Sequence, residues 1–426
     1  QKDYMNFSIA GEYTELQFII RASNTKITAN NATINGNANV NDNPAAALFV
    51  EQGSLFLSGS LTLVNHNHGV RLGYRNAPET NYSALSLNEY AILTIQDNVE
   101  VNSVGYYGNG ADDPDSIYLT YADKGQVNGT SGSAIDIRGF GYTNLTLKEH
   151  AQLYALNNQG SGMYPIQVAD YTFQMSPFSY AKLDGNGQGI NMNTDYAKSI
   201  HLNLDHATLD VTNNRSNGIT GQSAPYLLNI TNSSVVNVKD NGAIGINNFY
   251  IQVSDSTLNV TGNGSHGASN VSFDATNSTI NTSDNAYIGL NVTKYNDGKT
   301  STDVIHSTIT SNNNGGPGVR FYVEAGVTNI TDSTITTNGN GYGDDLYGFE
   351  VSPGDSGSWA GIVAKGTLVA KNSVLFSNGV SGYSLYDTSS GKATFYVLEN
   401  SVVVENGEES KDIYDDYNSE NQNSGS

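Results

Sequence analysis

The chain has no cysteine, one tryptophan, eight prolines and only 19 basic residues among its 426. Without thiols there is no disulfide, thiolate metal site, iron–sulfur cluster or cysteine nucleophile, so stability has to come from packing and hydrogen bonding. Positive charge is scarce against 41 acidic residues, and the resulting net charge of −22 repels nucleic acid, anionic lipid and polyanionic sugars at neutral pH. A nucleic-acid binder is excluded on that ground. Long apolar runs are missing as well. The longest, such as Ala45 to Val50, falls far short of a membrane span, and Gln1 opens without a basic or apolar leader. A soluble chain with any export signal already removed is therefore expected, with no membrane insertion. No segment holds a 3.6-residue periodicity, which leaves no helical framework.

What is present is 45 glycines, 27 tyrosines and a dense background of Asn, Ser and Thr, residues that favour turns over helices. One phrase recurs: a small polar residue, Thr or Ser, an aliphatic residue, an alternating pair, then Asn or Asp before Gly. ATLDVTNN (207–214), SSVVNVKDNG (233–242), STLNVTGNG (256–264), STINTSDNA (278–286), STITSNNNG (307–315) and STITTNGNG (333–341) align without gaps. The aliphatic anchors run Ile34, Leu61, Leu93, Leu153, Leu183, Leu209, Val236, Leu258, Ile280, Ile309, Ile335, Leu375 and Val403. Their spacing is loose around the mid-twenties, unlike repeats built on a helix that must dock at a fixed period. Between anchors lie further period-two strands, such as GVRLGY (69–74) and GVRFYVE (318–324), where Val319 and Phe321 face one way and Arg320 and Tyr322 the other. The pattern predicts an all-β chain: a right-handed parallel β-helix (β-solenoid) of roughly 13 or more rungs, with inward aliphatics and Asn side chains stacked at the corners. Residues 1–407 are expected to form one β-helix ligand-binding domain, and 408–426 a polar, disordered tail leading to a stalk.

These residues resemble the pectate-lyase-like β-helix superfamily, which includes polysaccharide lyases, polygalacturonases, phage tailspikes and bacterial adhesins. An acidic, cysteine-free, Asn/Thr-rich β-helix with an Asn/Ser tail is similar in particular to the ligand-binding region of serine-rich repeat adhesins of lactobacilli. That resemblance implies a module displayed on a glycosylated stalk, anchored to the bacterial cell wall and binding host or plant glycans.

Two intervals break the spacing. The 60 residues between Leu93 and Leu153 hide one weak rung near 134–139 and an insertion at about 102–133, with Tyr106, Tyr107, Tyr118, Tyr121 and the acidic group Asp112, Asp113 and Asp115. The 40 residues between Ile335 and Leu375 project a loop over 341–366 that carries Trp359 beside Tyr342, Tyr347 and Phe349. Long loops on a rigid scaffold often carry function, and sugar rings stack on exposed aromatic faces. Arg320 and Tyr322 project from the rung before this loop, Lys365 follows it, and Lys294 with Tyr295 closes an adjacent rung. A cation at that place would take a uronate or sialate carboxylate through charge-assisted hydrogen bonds. The plain alternative is surface arginines and lysines paired with Glu324 or Asp344, and aromatics that merely cover the coil. Arg71 holds the equivalent outward place near the N-terminus.

Other strings resemble chemistry less well. GDSGS (354–358) has no partner His and Asp on a double β-barrel and reads as a turn. The NTD string at 193–195, the Asp pairs and His266-Gly267 stand in the wrong order for a polygalacturonase. Asp184, Asn186, Gln188, Gly189 and Asp195 fall at EF-hand-like offsets without flanking helices, and Ile190 fits an inward strand position. The close pairs His66/His68 and His201/His206 lack further ligands for zinc. The expected function is thus a noncatalytic, extracellular adhesin module. Its partners would be pectin-like uronans or mucin glycans, bound more strongly in mild acid, by a monomer that needs no cofactor or metal. The competing reading is a uronan (pectate) lyase, for which Arg320 with Asp344 and Asp345 is the set to nominate.

Overall fold

The computed structural model describes residues 4–37, 46–100, 132–166, 168–194, 197–222, 226–293, 301–341, 361–379, 385–387, 395–405 and 408–409. Among these there is no helix, and the strands pair in parallel apart from a short antiparallel contact of Val404 with Glu409. The chain winds as a right-handed parallel β-helix, as its pattern predicts, and forms two compact units, Gln1–Tyr226 and Leu227–Ser426.

In the first unit three parallel sheets line the coil. The first includes Tyr82–Leu87, Tyr142–Leu147, Asp170–Met175 and Ser199–Asp205, and the second Ile92–Gln96, Gln152–Leu156, Tyr180–Asp184 and Thr208–Thr212. The third includes Ala46–Val50, His68–Leu72, Ser133–Arg138, Ser161–Ile166 and Gln188–Asn191. The period-two pattern stacks like on like. Leu85, Leu145, Phe173 and Leu202 are register partners on successive rungs, and all are fully buried. Each such side chain removed from water contributes roughly 1.5–3 kcal/mol. The strand Ser133–Arg138 is the rung expected near 134–139. The register shifts two of the expected anchors. Leu61 and Leu93 continue through Leu153 to Ala181 and Leu209, not to Leu183, and Leu61 pairs back to Ala32, not Ile34. A period-two strand offers two inward residues, and the smaller one was overlooked.

The second unit repeats the arrangement, with the strands Leu290–Thr293, Val319–Thr331 and Ile362–Lys371 contributing to its third sheet. Buried asparagines tie the rungs together in both units. In the first, the backbone N–H groups of Asn98, Asn158 and Asn186 donate to the Oδ1 atoms of Asn158, Asn186 and Asn214 at 3.1, 3.0 and 3.0 Å. In the second, the same bond links Asn241, Asn263, Asn285, Asn314 and Asn340 at 2.9–3.1 Å. Asn186 is therefore a ladder member and not a calcium ligand. Each bond satisfies a buried backbone donor that the corner would otherwise strand.

A second corner, two residues before the strands of the second sheet, requires a left-handed residue on every rung. It is filled by Tyr90, His150, Phe178 and His206 in the first unit and by Ser233, Asp255, Asn277, His306, Asp332, Asn372 and Asn400 in the second, all with φ between 47° and 63°.

Candidate functional site in the third sheet of the second unit

Outward positions of the third sheet carry the polar clusters of both units. In the second unit, strand alternation turns Val319 and Phe321 into the core, both fully buried, and turns Arg320 and Tyr322 out, half-buried. The Arg320 guanidinium lies 4.3 Å from the centre of the Tyr322 ring, a cation–π contact that orders the cation. On the neighbouring rungs Arg320 is level with Asn291, and Tyr322 with Thr293 and Lys365. Asn291 is 5% exposed, and its Oδ1 has no hydrogen-bond partner; the same is true of Asn247 Oδ1 on a further rung of this sheet. His266 stands at the corner that enters the sheet. Its ring meets Tyr287 edge-on at 4.7 Å, and its buried Nδ1 is also without a partner. Burial pulls the His266 imidazole down to about 4, and the Arg320 charge adds to that shift, so the ring is neutral at physiological pH. Gly316 leaves room for Tyr287, since a Cβ there would come within 3.0 Å of that ring.

The result is a half-buried cation, Arg320, with two unpaired amide oxygens and an unprotonated imidazole buried on nearby rungs of the same sheet. Such a set can hold a carboxylate, accept hydrogen bonds from hydroxyl groups and receive a proton. Of the residues expected here, Arg320 and Tyr322 are brought together, and Lys365 is placed beside them by its backbone. Trp359, Tyr342, Tyr347, Lys294 and Tyr295 lie outside the described residues, as do Asp344, Asp345 and the acidic group at 112–115. His266 was set aside because its string stood in the wrong order, and Asn247 and Asn291 were hidden in a chain rich in asparagine. Only register shows that Asn291 is level with Arg320 and that Asn247 and the His266 corner belong to earlier rungs of the same sheet.

The first unit corrects a different expectation. Arg71 is not an outward surface cation but is 1% exposed, and the strands His68–Leu72 and Ser133–Arg138 are buried on both faces. Arg71 is level with Phe49 on one side and Asp136 on the other, with its guanidinium 5.4 Å from the Phe49 ring centre. Asp136 Oδ2 lies 2.5 Å from His68 Nδ1, 3.4 Å from Arg138 and 3.9 Å from Arg71. Burial alone would raise the Asp136 carboxyl, but His68, Arg138 and Arg71 hold it well below the usual carboxylate range. Burial pulls His68 down to about 4 against the opposing pull of Asp136, with both arginines reinforcing the fall. Charges this deeply removed from water persist only when paired. This cluster is sealed where the cluster of the second unit is open. Among the described residues, no group of three or more His, Asp or Glu side chains is placed to hold a metal ion.

No protein-family model and no curated protein matches the chain. Among solved structures it is similar to the A-module of the Azotobacter vinelandii mannuronan C-5 epimerase AlgE6. That match has a TM-score of 0.51 and 13% identity and covers 89% of this chain and 90% of that one. The likeness is one of fold, and it agrees with the pectate-lyase-like β-helix architecture. It also corrects the expectation of a noncatalytic module, because the protein of like fold is itself an enzyme.

Proposed function

We propose that the chain is a polysaccharide-modifying β-helix protein that acts on uronate-containing chains at the Arg320 patch of its second unit. The observation that carries this reading is an uncharged His266, its Nδ1 without a hydrogen-bond partner, close enough to the ordered Arg320 cation for that charge to act on the ring. Epimerisation at C5 of a uronate and elimination across C4–C5 both begin by removing the proton beside the carboxyl group. Arg320 would take the carboxylate and stabilise the negative charge that develops on it. Asn291, level with Arg320, would accept a hydrogen bond from a ring hydroxyl and His266 would receive the proton, each uncovered by a shift of the side chains that now bury it. A bound carboxylate beside His266 opposes the depressing effect of Arg320 and so raises the basicity of the imidazole when substrate is present. The epimerase activity of the protein with like fold supports this reaction class. The resemblance to serine-rich repeat adhesins supports an extracellular place at a bacterial surface, where polymers of this size are met.

The test is incubation with polymannuronate, polygalacturonate and mucin glycans, with and without calcium, followed by proton NMR of the products and ultraviolet absorption. Inverted C5 centres would assign an epimerase, and unsaturated ends absorbing in the ultraviolet a lyase. A protein that leaves every uronan unchanged and binds none of them overturns the proposal.

A further inference from the structure

Six large apolar side chains stand exposed among the described residues, and four of them, all aromatic, border one sheet of the first unit. Tyr82 (44% exposed) and Tyr142 (57%) open adjacent strands of its first sheet and are register partners. Tyr90 (68%) and Phe178 (56%) sit at the corner where strands of that sheet end. Between these two borders the outward positions are small or uncharged. They include Ala84 and Ser86 on one rung, Asn144 and Thr146 on the next, and Thr172 and Gln174 after that.

The corner itself is a ladder of rings. Tyr90 and His150 stack at 4.7 Å with planes 3° apart, His150 and Phe178 at 5.0 Å and 12°, and Phe178 and His206 at 4.5 Å and 47°. The backbone does not require rings there. All four residues hold positive φ, where a bulky side chain is an outlier. The second unit turns the same corner with Asp or Asn on most rungs, and there Asn277 donates to Asp255 and Asn400 to Asn372. The ladder is also open at one end. The rung before Tyr90 turns at Gly59 (φ 81°), which must be glycine because a Cβ would come within 1.9 Å of Ala29 O. No side chain therefore covers the outer face of Tyr90 from that corner.

We infer that this face binds an uncharged polysaccharide, with one pyranose ring stacked on Tyr90 as the next step of the ladder and the chain crossing the small polar floor toward Tyr142. The apolar face of a sugar matches an open aromatic face, and its hydroxyl groups match amide and hydroxyl side chains. Charge selects the neutral class. Glu89, Glu149 and Asp205 each precede a ladder ring, and Asp170 is level with Tyr142. The lysines nearby are engaged: Lys198 Nζ is 2.7 Å from Glu79, and Lys148 Nζ lies over the Phe56 ring at 5.1 Å. A polyanion would meet carboxylates here, so this surface is distinct in chemistry from the Arg320 patch and would anchor a mixed polymer matrix while the other unit acts on uronates.

The experiment is affinity electrophoresis of the whole chain through gels containing β-glucan, xylan or mannan, at low and high salt. The parent is expected to be retarded by at least one of these polymers, equally at both salt concentrations. Tyr90→Asn, which suits a positive φ, should weaken retardation about tenfold, and Tyr142→Ser, at an ordinary strand position, severalfold. Arg320→Gln should leave it unchanged, which separates this site from the uronate site. The inference is overturned if no neutral polymer retards the parent, or if both aromatic variants are retarded as strongly as the parent. It is equally overturned if sedimentation shows a concentration-dependent dimer that Tyr90→Asn abolishes, since the face would then serve a second copy of the chain.

Discussion

The two units solve the same structural problem with different side chains. At the left-handed corner before the second sheet, the first unit stacks Tyr90, His150, Phe178 and His206 over Ala91, Ala151, Ser179 and Ala207. The second unit places Asp, Asn, His or, at Ser233, Ser there and follows each with a buried serine. Those serines form a chain in which the backbone N–H of Ser234, Ser256, Ser278, Ser307, Ser333 and Ser373 donates to the Oγ of the serine on the next rung, at 2.9–3.2 Å. The backbone demand is the same, a positive φ on each rung. What differs is the surface that results, and that difference is where function has room to act. The polar clusters of the third sheet differ in the same way: a sealed ion network around Asp136 in the first unit, an open patch around Arg320 in the second.

Breaking the sealed network should have the largest effect. Asp136→Ala leaves His68 and two guanidinium groups without their shared carboxylate and is expected to cost about 3–5 kcal/mol, measured by denaturant unfolding. Arg320→Gln in the open patch should change stability by no more than about 0.5 kcal/mol. Equal losses in the two variants would show that the clusters are not different in kind.

Acid sharpens the contrast. His66, with Nε2 2.9 Å from the Ile34 carbonyl, and His68 titrate at about 4 in the folded chain, against about 6.5 when unfolded. Between those values the unfolded chain binds more protons, so stability is complete above about pH 6.5 and falls as pH drops toward 4, by on the order of 3 kcal/mol for His66 and in the same direction for His68, where Asp136 opposes the effect of burial. Amide exchange is expected to show both units loosening in that window, the first more than the second, because the first holds two such imidazoles and the second one, His266. Stability that stays flat from pH 7 to pH 4.5 would mean that these imidazoles are not held neutral by burial.

The ladders come next. Asn285→Ala removes an acceptor for the buried Asn263 amide and a donor to Val260 O and Asn314, at an expected cost of about 1–3 kcal/mol. Tyr90→Asn should be neutral or stabilising by a few tenths of a kcal/mol, since asparagine adopts positive φ at less cost than tyrosine. A large loss from that variant would mean that the ring is structural.

Much of the fold was legible because β-helix rungs write themselves in local code. Alternating aliphatics specify inward positions, and Asn before Gly marks the corners. The slip from Ala181 to Leu183 shows the limit, since a strand of period two does not say which inward residue is level with its neighbour. The site was less legible. Arg320 and Tyr322 follow from alternation alone, but His266, Asn291 and Arg320 come from rungs whose spacing is irregular, so that Asn291 is level with Arg320, and that the Arg320 charge reaches His266, depends on register. Arg71 misled because alternation reports which face a residue takes and not whether that face is covered. The aromatic ladder was missed because left-handed corners are expected to carry Gly, Asn or Asp, and tyrosine or phenylalanine in that place gives no local signal.

The net charge of −22 sets a further expectation for a uronan ligand. Whole-molecule repulsion weakens as Asp and Glu approach their usual range near pH 4, while Arg320 stays charged, so affinity at fixed ionic strength should be higher at pH 4.5 than at pH 7. Isothermal titration with polygalacturonate checks the sign, and weaker binding in acid would place control in the local patch.

The most direct measurement of the central claim is deuterium incorporation at C5 of a uronan in D2O, followed by NMR for the parent and for His266→Gln. The account predicts exchange by the parent, and binding without exchange by the variant. Equal incorporation by both proteins, or none by the parent while it binds the polymer, would contradict it.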